Sequence, residues 1–335
     1  MADLPNTPRM FFIVGRGRSG TTLVSTYLNA VPGIAIAPES LFIMNLRRVY
    51  GSGELTPARL NDFCRDVFLE QRMRNWAFGE RELTEYIQAR HQRQPIRDYA
   101  ELCRLVYETQ AHYTGVPAPV LVGDKNPHYS LFMPVLAELY PDALFIHVVR
   151  DPRANVVSYR RVKFDYSDPG ILAGRWNIYN QSILYSAEAL GRRYFQIRFE
   201  DFVRDPNGTV AALVDFLGFS LPLQNDRPEA GRQVAAHIAE KPWHPKLGNT
   251  LDPGVIDEWR EQLRPEHAHI VERACADLMK RFGYETGREP DAGTRGTFAA
   301  AQARATVAAE KLLFALPMRV RSRIITLYRR LTATL

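Results

Sequence analysis

The stretch VGRGRSGTTL, residues 14–23, lies between an apolar run and a segment with helical periodicity. Glycines at both ends of the turn allow backbone N–H groups at the start of the following helix to face an anion. A loop that binds ATP, with the pattern GxxxxGK[ST], carries lysine where this chain has Thr21. Arg16 and Arg18 lie inside the turn instead. The stretch therefore predicts a strand–loop–helix unit that holds a dense anion with the help of arginine.

Strand and helix patterns alternate along most of the chain. Because such alternation is typical of parallel sheets with helices on both faces, we predict a three-layer α/β/α fold of the phosphate-loop type. Residues 41–115 have helical periodicity and predict an insertion of several helices. The polar turns after the strands should meet at the carboxyl edge of the sheet. Apolar runs that end in polar turns place the strands within 10–14, 33–40, 118–127, 143–161 and 194–206.

The positive charge of the chain is concentrated near its end. Residues 288–335 hold nine Lys/Arg and three Asp/Glu, and the remainder holds 34 of each sign. Since the body is neutral, the charge does not indicate nucleic-acid binding. The segment GREPDAGTRGT, 287–297, predicts a linker. We therefore expect one α/β domain over 1–287 and a basic helical tail over 288–335.

Within the tail, residues 311–331 mix apolar side chains with six Lys/Arg and no acid. This composition fits contact with an anionic membrane surface, and it fits equally well packing on a partner subunit or on the body. No run of 18 apolar residues exists, so no membrane span is expected. The first fifteen residues lack the pattern of a signal peptide. We expect a cytoplasmic protein, with peripheral contact to the inner membrane surface and a homodimer as open alternatives.

The cysteines point to a reducing compartment. Cys64, Cys103 and Cys275 are widely spaced and form no CxxC pair. Neither a disulfide framework nor a zinc site is indicated, and buried or free thiols are expected.

Two motifs together resemble those of sulfotransferases that use 3′-phosphoadenosine 5′-phosphosulfate (PAPS). RGRSGTTL after an apolar strand is similar to the 5′-phosphosulfate loop of that family. In VVRDPRANVVSY, Arg150 and Ser158 have the eight-residue spacing of the family's 3′-phosphate site. Ser158 lies about two turns along the predicted helix, close enough to share one phosphate with Arg150. The likeness covers roughly residues 10–285, includes RFEDFVRDPNGTVAALVDFLGF at 198–219, and is greatest to the protein-tyrosine and bacterial branch.

The resemblance implies transfer of a sulfuryl group from PAPS to an acceptor hydroxyl, with 3′-phosphoadenosine 5′-phosphate (PAP) as product and no metal. Lys125, at the end of the third strand, would contact the bridging oxygen of the leaving group. Arg18 would hold the 5′-phosphate and the sulfate. The acceptor is left open among glycan, lipid, phenol and tyrosyl hydroxyls. The residues implied in donor binding are Arg16, Gly17, Arg18, Ser19, Gly20, Thr21, Thr22, Arg150 and Ser158.

Two residues compete for the role of catalytic base. Glu39, in Pro38-Glu39-Ser40 after the second strand, occupies the place of the glutamate base in the protein-tyrosine branch. Arginines nearby would keep a carboxylate ionised, which suits a base. His128 is the alternative, because cytosolic sulfotransferases use a histidine just after a lysine at this strand end. Here it follows Lys125 by three residues rather than two.

One family feature is missing from the sequence. The cytosolic enzymes carry a C-terminal RKGxxG-type loop near the nucleotide, and nothing here matches it. EKPWHPKLGN, 240–249, is a candidate replacement. Trp176 and Asn180, one helical turn apart, are candidates for lining the acceptor or adenine pocket, and Arg198 and Phe199 for bordering the adenosine.

Two other classes of function compete with the transferase. A kinase or NTPase would need the loop lysine and an acidic strand for magnesium, and neither is evident. A non-catalytic nucleotide-binding module would need neither a base nor the lysine, but Glu39 and Lys125 are both present.

Overall fold

The computed structural model describes residues 7–116, 118–162, 166–218, 252–287, 295–316, 320 and 324. Its parallel strands form one sheet with the order β2-β3-β1-β4-β5. Neighbours that are distant along the chain require crossovers, and helices supply them. The α/β fold predicted from the sequence is confirmed. The strands are β1 (Arg9–Val14), β2 (Ile34–Ala37), β3 (Leu121–Lys125), β4 (Leu144–Val149) and β5 (Tyr194–Arg198).

The first strand lies at the centre of the sheet. Phe12 aligns with Asp124 on β3 and with Phe145 on β4. Side chains of Met10–Val14 are fully buried on both faces. A strand covered on both faces carries a continuous apolar run rather than an alternating pattern, which is why MFFIV predicts it.

The helical insertion covers one face of the sheet. Its core joins Phe12 and Val122 of the sheet to aromatic side chains such as Phe42, Phe63 and Tyr107. Several helices were expected over 41–115, and the structure confirms them. They are α2 (Phe42–Tyr50), α3 (Pro57–Val67), the 3-10 helix Gln71–Asn75, α4 (Glu80–Arg93) and α5 (Tyr99–Tyr113), and after β3 come the 3-10 helix Pro127–Leu131 and α6 (Met133–Leu139).

The opposite face and one end of the sheet are covered by helices from the rest of the chain. Side chains of Phe11, Ile13 and Val148 meet helices over 21–29, 199–204 and 206–216 there, so the sheet is the middle of three layers. Gly218, which follows the C-cap residue of the helix Pro206–Phe216, has φ of 72°, as expected of a glycine that ends a helix. These helices are α1 (Thr21–Asn29), α7 (Pro152–Arg160), α8 (Pro169–Leu190), α9 (Phe199–Arg204), α10 (Pro206–Phe216), α11 (Trp259–Gln262) and α12 (Pro265–Arg281).

The described part of the predicted tail is a helix that packs on the body. This helix, α13 (Arg295–Ala315), lies against α8. A Cβ on Gly170 would lie 2.9 Å from Ala299 Cβ, and one on Gly174 would lie 2.6 Å from Ala303 Cβ. The small residues therefore allow the two backbones to approach closely.

Most of 311–331 lies outside the described residues, as do 288–294 of the predicted linker. Where the chain is described, no helix has the length and apolar character needed to cross a membrane. Cys64, Cys103 and Cys275 are buried thiols, as expected.

Candidate active site

The loop of residues 15–20 has the backbone of an anion-binding turn. Gly20 has φ of 92°, and a Cβ there would lie 2.2 Å from the Phe199 ring, so glycine is required. Arg18 also has a positive φ, 66°. A left-handed backbone at a residue other than glycine costs on the order of 1–3 kcal/mol and persists where surrounding contacts impose it. At Arg18, hydrogen bonds to residues outside the loop hold the backbone in this conformation.

Those contacts bring the two predicted motifs together. Arg18 Nε donates to Ser158 Oγ at 3.1 Å, and Arg150 Nη1 donates to the Arg18 carbonyl at 3.3 Å. Asn155, on the same helix as Ser158, donates to the Gly17 carbonyl at 2.9 Å. Helix α7 therefore carries two side chains, Asn155 and Ser158, that bond the loop.

A further guanidinium, not recognised from the sequence, joins this group. Arg161 lines the same small cavity as Arg150 and Ser158, and its Nη2 lies 2.8 Å from Glu258 Oε2. Burial is the main cause that lowers the pKa of Arg18, and the charge of Arg161 lowers it further. Arg150 likewise has a lowered pKa, from burial and then from Arg18. Guanidinium groups that lie close together around the Ser158 hydroxyl repel one another, and an anion bound among them would offset that repulsion.

The turn that carries Arg150 is held by the RFED segment. Asp151 caps α7 and donates its backbone N–H to Glu200 Oε1 at 2.9 Å. Tyr284 donates to the other oxygen of Glu200 at 2.9 Å. The Trp176 indole donates to the Arg150 carbonyl at 3.0 Å. Glu200 thus explains the sequence pattern at 198–201, because it fixes the turn that follows Arg150.

Lys125 and Glu39 meet beside the loop. Lys125 Nζ forms a short ion pair with Glu39 Oε1 and donates to Thr22 Oγ1 at 3.1 Å. The two strands that carry them are neighbours, with Ala37 level with Asp124. Parallel register therefore places the turn after β2 next to the end of β3.

Arg72 also contacts Glu39 and was not found from the sequence. Its Nη1 lies 3.5 Å from Glu39 Oε2. Arg72 belongs to the 3-10 helix of the insertion, 33 residues after Glu39. No sequence motif marks it, because the contact depends on how the insertion folds back over the β2 turn.

The two candidate bases differ in charge. Burial alone would raise the pKa of Glu39, but the ion pair with Lys125 and then the charge of Arg72 hold it below its usual value. Burial lowers the pKa of His128 to about 4, with Arg72 as a further cause. Near neutral pH, Glu39 is therefore a carboxylate and His128 a neutral imidazole. Asn126 holds both turns, since its side chain donates to the Ser40 carbonyl and accepts from His128 N.

Arg16, the first arginine of the loop, lies over two tyrosine rings. Its guanidinium carbon is 4.1 Å from the centre of the Tyr159 ring and 4.9 Å from that of Tyr179. Tyr179 donates to Glu310 Oε2 of α13 at 3.0 Å, and Arg175 forms an ion pair with the same carboxylate. The loop is therefore linked through Tyr179 to the C-terminal helix.

The remaining predicted donor ligands lie within the loop or in the first turn of α1. Ser19 Oγ accepts from the Asn155 amide at 3.2 Å. Thr21 is buried, and Thr22 is half-buried beside Lys125.

The residues expected to line a pocket lie in different surroundings in the structure. Trp176 and Asn180 are fully buried in the core, and Asn180 bonds the His147 ring at 2.9 Å. Phe199 lies between Gly20 and Arg150, at 4.4 Å from the guanidinium of the latter. Arg198 lies over Tyr284 instead. The stretch 240–249 lies outside the described residues.

No group of three or more His, Cys, Asp or Glu arranged to hold a metal ion occurs in the described part of the chain. The residues around the loop are suited to an anion: amide N–H groups, hydroxyls and guanidinium groups.

Comparison with known proteins identifies the family. The model of the sulfotransferase family matches residues 8–222. The chain belongs to that family. The resemblance inferred from the two motifs is confirmed, and the sulfotransferase is an enzyme of the group-transfer class.

Relatives of this sulfotransferase act on different acceptors, according to their names. A putative protein-tyrosine sulfotransferase of Caenorhabditis briggsae is 25% identical over 296 residues, which cover 86% of this chain and 94% of that protein. The omega-hydroxy-beta-dihydromenaquinone-9 sulfotransferase Stf3 of Mycobacterium tuberculosis is 25% identical over 174 residues, 48% of this chain and 40% of that protein. Carbohydrate sulfotransferase 7 of Mus musculus is 31% identical over 107 residues, 31% of this chain and 22% of that protein.

A solved structure has the same fold. The sulfotransferase domain of the olefin synthase from Synechococcus PCC 7002 superimposes with a TM-score of 0.54 at 23% identity. The match covers 85% of this chain and 98% of that domain.

Proposed function

We propose that the protein transfers a sulfuryl group from PAPS to an acceptor hydroxyl. The observation that carries the proposal is the hydrogen bond from Arg18 to Ser158 beside an anion-binding loop, with Arg150 and Arg161 lining the same cavity as Ser158. The loop is suited to the 5′-phosphosulfate, and the arginines around Ser158 are suited to a second phosphate on the same nucleotide. A donor with only a 5′-phosphate chain would place no phosphate between Arg18 and Arg150.

The reaction is a single in-line displacement at sulfur. The acceptor oxygen forms a bond to sulfur while the bond from sulfur to the 5′-phosphate oxygen breaks, and that electron pair leaves with PAP. Lys125 stabilises the charge that develops on the leaving oxygen. The acceptor proton passes to the base and then to solvent.

We assign the base to Glu39 and retain His128 as the alternative. Glu39 is ionised and in contact with Lys125, the group placed for the leaving oxygen. Burial lowers the pKa of His128 to about 4, so both groups are unprotonated near neutral pH, and the contact with Lys125 favours Glu39. Glu39→Gln should abolish transfer while PAP binding is retained, and His128→Gln should spare most of the activity.

The position of Lys125 argues against a kinase or NTPase. In an ATP-binding loop the hydroxyl after the lysine binds magnesium. Here the corresponding hydroxyl, Thr22 Oγ1, has an ammonium 3.1 Å away. The acid beside Lys125, Asp124, bonds Tyr107 in the core of the insertion instead of facing the loop.

Binding and transfer assays test the donor. PAP should raise the melting temperature more than adenosine 5′-phosphate or Mg-ATP, and Arg150→Gln should remove the advantage of PAP. Arg65→Gln, on the exposed surface of α3, is the control. Label from PAPS should appear on an acceptor in a panel of phenols, glycans, lipids and tyrosyl peptides. Stabilisation by ATP alone, with none by PAP, would refute the donor.

A further inference from the structure

The carboxylate of Glu39 is held by two cations from different parts of the fold. Lys125 belongs to the central sheet, and Arg72 belongs to the helical insertion. Lys125 bonds one carboxylate oxygen, and Arg72 Nη1 lies 3.5 Å from the other. Both oxygens are therefore in contact with positive charge before any substrate is present.

Lys125 has a second partner on the phosphate loop. Its Nζ donates to Thr22 Oγ1 at 3.1 Å, so an anion on the loop lies within reach of the same ammonium. An anion with several charges attracts the ammonium more strongly than one carboxylate does. Departure of Lys125 would also open an acceptor site on one Glu39 oxygen for the proton. We therefore expect Lys125 to exchange Glu39 for the donor.

Arg72 is fixed to the turn that carries Glu39. Its neighbour Met73 is 1% exposed, within the core of the insertion. Glu70, at the start of the same 3-10 helix, accepts from Leu41 N at 3.2 Å and from a side-chain amide of α2 at 2.6 Å. These hydrogen bonds thus join the 3-10 helix to the turn two residues after Glu39.

We propose that Arg72 is a positioning residue for Glu39, which keeps the carboxylate oriented and ionised after Lys125 has moved to the donor. The inference rests on the proposed role of Glu39 as the base. Asp124 and His128 are buried and mainly uncharged near neutral pH. Arg72 is therefore the cation that stays on the carboxylate among the described neighbours. The charged or titratable side chains that influence Glu39 from other elements are Asp124 and Lys125 on β3, His128 after β3, and Arg72.

Arg72→Gln tests this role, and Arg74→Gln is the matched control, because Arg74 is exposed on the same 3-10 helix. The infrared band of the protonated Glu39 carboxyl, identified by its loss in Glu39→Gln, is followed against pH with PAP bound. In Arg72→Gln the band should appear at higher pH than in the wild type or in Arg74→Gln. Transfer from PAPS on the acid side of the optimum should fall roughly ten-fold. Arg72→Lys should recover part of the rate, and PAP affinity should not change.

Superimposable Glu39 titrations in Arg72→Gln and the wild type would overturn the proposal, even if Arg72→Gln lowers the melting temperature, since that result indicates a structural role only. Absence of transfer from PAPS in the wild type would count against the proposed function instead. The two failures are distinguishable, because the Glu39 titration with PAP bound does not depend on turnover.

Discussion

Ser158 is the hydroxyl at which the two sequence motifs meet. It accepts from Arg18 Nε at 3.1 Å. A hydrogen bond to a charged group contributes about 1.5–3 kcal/mol, so Ser158→Ala should weaken PAP binding by roughly ten-fold or more. Adenosine 5′-phosphate, which lacks the 3′-phosphate, should lose much less. Titration calorimetry with both nucleotides measures the difference, and Ser186→Ala on α8 is the control. Equal losses for both nucleotides would contradict the assignment of Ser158 to the 3′-phosphate.

Asp124 makes the stability of the fold depend on pH. Burial is the main cause that raises the pKa of Asp124 to about 8. Tyr107 bonds one oxygen of the carboxyl, and the other oxygen has no hydrogen-bond donor among the described residues. In the unfolded chain an aspartate titrates near 4. Between these values the folded state keeps a proton that the unfolded state releases. The free energy of unfolding should therefore fall as pH rises from about 4 to about 8.

Asp124→Asn should flatten this dependence, because the amide does not titrate. Urea unfolding across the same range measures it, with the exposed Asp215→Asn as control. An unchanged slope in Asp124→Asn would show that Asp124 is not the group responsible.

The residues that could be predicted from the sequence are those with a fixed spacing from a strand end. Arg150 and Ser158 were predicted to share one site, and the structure brings them together through Arg18. Arg72 and Glu310 could not be predicted, since each contact depends on a helix that returns to the site from elsewhere in the chain. The roles assigned to these residues stay predictions.

At the scale of elements, the close contact between α8 and α13 depends on the absence of a side chain at Gly174. Alanine at position 174 would favour the helix by about 1 kcal/mol, but its Cβ would lie 2.6 Å from Ala303 Cβ. Gly174→Ala should therefore destabilise the protein by about 1–3 kcal/mol through overpacking. In a double-mutant cycle with Ala303→Gly, the two changes should compensate by about 0.5–3 kcal/mol. Additive effects on the unfolding free energy would exclude this contact.

Strands were predicted more accurately than the ends of helices. The buried strands stand out as short apolar runs, and β1 and β4 begin and end within one residue of those runs. The sequence SLFMPVLAELYPD, 130–142, has the pattern of one helix that stops near Pro141, but the structure has a 3-10 helix followed by α6. Pro134 explains the break, because it cannot donate a backbone hydrogen bond to a continuous helix. Local pattern gives the type of element, whereas proline and tertiary contacts set its ends.

For the whole molecule, the predicted tail includes α13, which packs on α8. Glu310 binds Arg175 and Tyr179 of α8, so removal of 295–335 should lower the melting temperature by several degrees. Removal of 317–335 should lower it less, because α13 is retained. Equal melting temperatures for the two truncations would contradict the packing of α13. The domain boundary at 287–288 and the homodimer stay predictions.

Peripheral membrane contact through 311–331 stays a prediction as well. Leu312, Leu316, Val320 and Ile324 are exposed apolar side chains at intervals of four residues. Flotation of the two truncated chains and the full chain with anionic liposomes tests it. Membrane contact requires that loss of 317–335 reduces flotation.

The central place of β1 has a consequence for synthesis. The strand that emerges first pairs with β3 and β4, which follow it by more than one hundred residues. At about 5–20 residues per second, MFFIV waits roughly 5–25 seconds on the ribosome before its neighbours exist. Throughout that time a fully apolar segment is exposed to other chains. Production of the protein should therefore depend strongly on chaperones that hold apolar segments, and refolding from denaturant should become less efficient as protein concentration rises.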